Sequence, residues 1–138
     1  MAALSILARP AYCQNSQREA FYVGTDGHVY HFSASPGMPW SSEDLTASAG
    51  APLAAAANSL AGFEDNPWNL REVFYVGTDQ HLYHLWSPPG QSWGVEDLTG
   101  SSGAPLAAAG STLSTFENDH WDFRELFYLG TDQHVYHF

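Results

Sequence analysis

Three arginine–glutamate pairs, Arg18-Glu19, Arg71-Glu72 and Arg124-Glu125, recur in this chain, each 53 residues after the last. A guanidinium is a rigid fork of donors that grips a carboxylate or two vicinal hydroxyls at once. The chain has 138 residues, only 4 of them Lys or Arg against 15 Asp or Glu, and a formal net charge of −11. One arginine per period in so acidic a background points to a defined partner. Two partners qualify: an acidic side chain of the adjoining repeat, or a hydroxyl-bearing ligand held in a pocket beside it.

The other recurring side chains suit the same two roles. Trp40 and Trp93 share the 53-residue spacing, as do Trp68 and Trp121, whereas Trp86 has no counterpart. A repeated indole is a packing element or a platform on which the C–H face of a sugar ring stacks. Histidines pair as His28/His31, His81/His84 and His134/His137. On a strand, residues three apart point to opposite faces, so neither member of a pair joins the other on one ion, and no metal or cofactor is expected. Glu43-Asp44 and Glu96-Asp97 have the residue types of a glycosidase, but neighbours on a strand cannot flank one bond. The sequence contains no nucleophile elbow, phosphate loop or dinucleotide fingerprint.

The elements that position these residues follow from the period. Residues 18–32, 71–85 and 124–138 are three copies of one pattern, and a fixed period of this size marks a repeat architecture whose units must stack to bury their apolar faces. In the middle copy, residues 72–76 and 81–86 alternate as a hairpin around the turn 77–80. Trp93 to Thr99 reads as a third strand and residues 100–105 as a loop. The alanine-rich stretch Leu106–Glu117 contains a small-residue strand, and Leu53–Leu60 reads the same way, with helix as the alternative there because alanine is the best helix former. Four strands per period is the blade pattern of a β-propeller. The whole chain, 1–138, is then one all-β repeat domain, with blades over about 1–46, 50–99 and 103–138. The last lacks its outer strand. Three blades do not close a ring, so either copies assemble or the sequence is part of something longer; a homo-oligomer is expected, most simply a dimer of six blades.

Composition removes other classes. Nucleic-acid binding and adhesion to anionic lipid both need Lys and Arg, and this chain is poor in them. No run approaches the roughly 18 apolar residues of a membrane span. Cys13 is alone and forms no internal disulfide. The opening residues are cut short by Arg9-Pro10 and read as part of the fold, not as a signal peptide, which leaves a cytoplasmic location or secretion by another route.

The run from Phe74 to Trp86, followed by Trp93 and by Glu96 to Thr99, resembles the repeats of fucose-specific-lectin-type β-propellers. The resemblance spans nearly the whole chain. It implies sugar pockets between adjacent blades, lined by an Arg from the hairpin's first strand, a Glu from its second and aromatic residues. Carried over, the family's Arg falls near Glu72 or Val73 and its Glu at His84, with His31 and His137 at the same place; the aromatic corresponds to Trp93 or Trp40.

The expectation is a multivalent carbohydrate-binding protein with weak sites and glycans as partners, not an enzyme. The sites expected are Arg71, Glu72, His84 and Trp93; Arg18, Glu19, His31 and Trp40; and Arg124, Glu125 and His137 where the third blade meets another chain. Guanidinium, imidazole and indole recur together, and repetition of shallow sites suits avidity better than catalysis. A structural or protein-interaction propeller is the alternative, and a glycoside-processing enzyme ranks last.

Overall fold

The computed structural model describes residues 18–55, 59–65, 70–88, 90–118 and 123–138. The first repeat supplies β1 (Arg18–Val23), β2 (Val29–Ala34) and β3 (Ser41–Asp44), closed by a short helix α1 (Leu45–Ala49). The second supplies β4 (Leu60–Asp65), β5 (Leu70–Val76), β6 (Leu82–Ser87), β7 (Gly94–Asp97) and α2 (Leu98–Ser102). The third supplies β8 (Ser114–Asn118), β9 (Phe123–Leu129) and β10 (Val135–His137). Each set is one antiparallel meander, ordered β1-β2-β3, β4-β5-β6-β7 and β10-β9-β8. The chain is therefore all-β, built of three antiparallel sheets. The strand expected ahead of Arg18 falls outside the described residues, as do Cys13, Trp68 and Trp121.

The hairpins form around a repeated polar turn. In the second sheet Val76 pairs with Leu82 and Arg71 with Ser87. Asp79 fixes the turn by accepting from the His81 backbone N–H at 3.1 Å and the Tyr83 hydroxyl at 2.7 Å. Asp26 and Asp132 do the same for His28 and Tyr30 and for His134 and Tyr136. The left-handed position of the turn is Gly27 in the first copy but Gln80 (φ 70°) and Gln133 (φ 66°) in the others.

Two sequence expectations are corrected. The strand expected over Trp93–Thr99 stops at Asp97, and α2 replaces part of the expected loop. Asp97 caps that helix, accepting from the Gly100 N–H at 2.7 Å, and Gly103 ends it in the left-handed region (φ 71°). The alanine stretches are neither helix nor continuous strand in the described residues. Ala54 and Ala107 make only isolated bridges, to Gly77 and Gly130, and the regular strands begin later, at Leu60 and Ser114. Their backbone is occupied elsewhere. Ala54 N–H donates to Gly27 and Ala107 N–H to Gln80, so each segment ties itself to the hairpin turn of the preceding repeat.

Strand alternation gives every sheet two different faces. In the second sheet, Arg71, Val73, Tyr75, Tyr83, Leu85 and Ser87 share one face and Glu72, Phe74, Val76, Leu82 and His84 the other. The first face packs on sheet one in a core that includes Val29, Leu45, Ala54 and Trp93. The second packs on sheet three against Ala107, Leu113, Leu126 and Tyr128. Because both faces of the middle sheet are buried, its strands are apolar on both sides, whereas the outer sheets alternate more strongly.

Candidate functional site

The same parity separates the paired residues Arg71 and Glu72. Arg71 faces sheet one, where its Nη1 lies 3.8 Å from Glu19, its Nη2 donates to Ser87 Oγ at 3.2 Å, and its guanidinium sits 5.0 Å from the centre of the Trp93 ring. Glu72 faces sheet three, fully buried, and accepts from Arg124 Nη1 at 2.6 Å and His84 Nε2 at 3.0 Å. Its other oxygen, Oε2, makes no hydrogen bond with the described residues. Thus the arginine of each later repeat meets the glutamate of the repeat before it, at both junctions.

Around Arg71 the first junction is closed. Trp93 is buried there, donating its indole N–H to Glu43 at 3.1 Å while its ring meets Phe21 and His31 edge-on. His31 lies stacked on Phe21, and its ring is 3.6 Å from Glu19 and 3.8 Å from Glu43. The second junction repeats these groups 53 residues on but is open. A cleft of about 250 Å³ is lined by Phe74, His84, Glu96, Leu98, Arg124, Leu126 and Phe138. Each of the seven is the counterpart of Phe21, His31, Glu43, Leu45, Arg71, Val73 or Leu85 in the first junction, the residues among which Trp93 lies.

The electrostatics distinguish structural from available carboxylates. Burial pushes the Glu72 carboxyl up, but hydrogen bonds from His84 and Arg124 outweigh it and hold it below the usual range. Burial likewise raises Asp97, and the Gly100 N–H, His81 and Thr99 more than offset it. Asp97 is thus engaged in its cap and with His81 Nδ1 at 2.8 Å, while Thr99 Oγ1 accepts from the Leu82 N–H. Glu96 instead opens onto the cleft, its side chain 53% exposed and its nearest oxygen 4.0 Å from His84. Tyr30, tied to Asp26, is raised to about 12.

The expected site residues are regrouped accordingly. Arg71 and Trp93 come together as expected, and Arg18 and Trp40 do likewise at 5.0 Å. His84 does not join Arg71, nor His31 Arg18, because register puts each imidazole on the opposite face from its own repeat's arginine. His84 instead shares the second junction with Glu72 and Arg124, and His31 shares the first with Glu19 and Arg71. In the third repeat Arg124, Glu125 and His137, with Phe123 and Phe138, border a hollow of about 350 Å³. Within each histidine pair the partners differ, as alternation requires: His81 goes to Asp97 and His84 to Glu72. Glu43 and Glu96 belong to the junctions and were missed as site residues. The length of the hairpin turn carried the missing signal, because residues 77–81 between paired Val76 and Leu82 fix which side chains share a face. No protein-family model matches the chain, and no curated protein sequence matches it.

Proposed function

We propose that this protein binds carbohydrate in the cleft between its second and third sheets. The three meanders stack as propeller blades in this proposal, and the cleft is an inter-blade site. The observation that carries it is the mixed lining of that cleft, where Arg124, His84 and Glu96 stand beside Phe138 and Leu98. A ring with a flat apolar face and one donor already fits the first junction, where Trp93 stacks under Arg71 and donates to Glu43. A pyranose offers the same features: a C–H face for Phe138 and Leu98, hydroxyl donors for Glu96 and acceptors for Arg124. One such shallow site binds in the millimolar to micromolar range, about −4 to −8 kcal/mol, and gains avidity on multivalent surfaces. A broad glycan array tests this. Binding of a defined sugar class is expected, and absence of binding to every glycan overturns it.

A second reading is favoured by Trp93 itself. Since an indole from a neighbouring strand closes the first junction, the second is suited to an aromatic side chain of a protein partner that adds a strand beside β10. A synthetic peptide copying residues 92–99 separates the two. Saturable binding of that peptide together with a blank array supports the interaction reading over the lectin one.

A further inference from the structure

Both internal junctions of this chain use one design. The face carrying Glu, Phe, Val or Leu, and His of one sheet is covered by the face carrying Arg and Tyr of the next, with an arginine reaching back to a glutamate, and Trp93 adds to the first junction. Each kind of face also occurs once more, uncovered by any described residue. On the third sheet Glu125, Phe127, Leu129, Val135 and His137 share the face that in the second sheet is Glu72, Phe74, Val76, Leu82 and His84. Val135 is 72% exposed where Leu82 is 0%, and the His137 side chain 52% where that of His84 is 9%. On the first sheet Arg18, Tyr22 and Trp40 repeat Arg71, Tyr75 and Trp93. Tyr22 is 41% and Trp40 48% exposed, against 0% and 5% for their buried counterparts.

We propose that these two faces bind each other between copies of this chain, with Arg18 of one copy on Glu125 of the next, and that two copies close the arrangement. Glu125 already accepts from His137, as Glu72 does from His84, and among the described residues it has no counterpart of the arginine that Glu72 receives from Arg124. No carboxylate among the described residues pairs with Arg18. Charge selects the pairing. Two third-sheet faces would place Glu125 against Glu125 in a chain of net charge −11, whereas head to tail each glutamate meets an arginine. The contact joins different surfaces, so it is heterologous and must close by rotation to avoid an open fibre. The contact is independent of sugar binding, since the cleft lies at an internal junction.

The test is sedimentation of the full chain with Glu125→Arg, Arg18→Glu and the double variant carrying both. The wild type is expected at twice the single-chain mass, each single swap at single-chain mass through a loss of roughly a hundredfold or more in association, and the double variant back at twice that mass. The last arm guards against misfolding, because a head-to-tail contact is restored when both signs are exchanged in one chain. Val135→Glu, at an exposed position of the monomer, is expected to dissociate the assembly while leaving the β-sheet circular dichroism unchanged. A monomeric wild type well above micromolar concentration overturns the proposal, as does a dimer indifferent to Glu125→Arg. An assembly of more than two copies overturns closure at two.

Discussion

Replacing Glu72 by glutamine tests the ion-paired junction between the second and third sheets. The carboxylate is fully buried and accepts two charge-assisted hydrogen bonds, from Arg124 at 2.6 Å and His84 at 3.0 Å. Such bonds contribute about 1.5–3 kcal/mol each, against about 1 kcal/mol for the neutral acceptor that glutamine keeps in the same place. The Arg124 side chain is 43% exposed, so water screens its share. The expected loss at pH 7 is roughly 1–2 kcal/mol, a fall of about 0.5–1 M in the urea midpoint. The pH dependence carries the stricter check. Glu72 holds its proton less tightly folded than unfolded, so its contribution is complete above the ordinary value of 4.5 and is lost as pH falls through the lower folded value. In acid the wild-type carboxyl is neutral, like the amide, and the gap between the two proteins should close. Equal midpoints at pH 7, or a gap that persists unchanged in acid, would refute the reasoning.

Trp93→Phe removes the N–H that reaches Glu43 and weakens the stacking on Arg71, so thermal unfolding should show a loss of about 1–2 kcal/mol; an unchanged transition would mean that the first junction does not depend on the indole. Asp97→Ala strips α2 of its cap and His81 of its partner, with an expected cost of about 1–2 kcal/mol in chemical denaturation. Gln80→Gly relieves a left-handed backbone and should stabilise by up to about 1 kcal/mol, raising Tm by a few degrees. A lower Tm would show that the glutamine side chain contributes more than the strain it carries.

The hairpins and their order were legible because three things coincide in them: strict alternation, a polar turn and exact recurrence. The sheet count followed from the same recurrence. The short helices were not legible from alternation, since Glu96 to Thr99 continues the strand pattern; only the spacing from Asp97 to Gly100 and Gly103 announces a capped turn. The alanine stretches were legible only in part: Leu106–Glu117 does contain strand, β8 from Ser114, but small side chains permit helix or strand, and Ala54 and Ala107 bond to neighbouring turns instead. At the site, residue types were legible and groupings were not. Arg71 and Trp93 lie on one face and His84 on the other, a distinction set by hairpin register and invisible to residue content. The role of Glu43 and Glu96 emerges only when two sheets meet, since Glu43 accepts from the Trp93 indole and Glu96 lines a cleft with Arg124, each partner drawn from the following repeat.

The central claim, that the second junction is a ligand cleft lined by Arg124, Glu96 and Phe138, is tested most directly at Glu96. Its side chain is 53% exposed, so Glu96→Gln leaves no buried charge behind, and Glu43→Gln is the matched control in the junction that Trp93 occupies. Nuclear magnetic resonance titration of both variants and the wild type with the best glycan from the array gives the affinities. The prediction is a weakening of about tenfold or more for Glu96→Gln, about 1.4 kcal/mol, with Glu43→Gln binding like wild type. Equal binding by both variants, or no glycan shifting any resonance of the wild type, would contradict the claim.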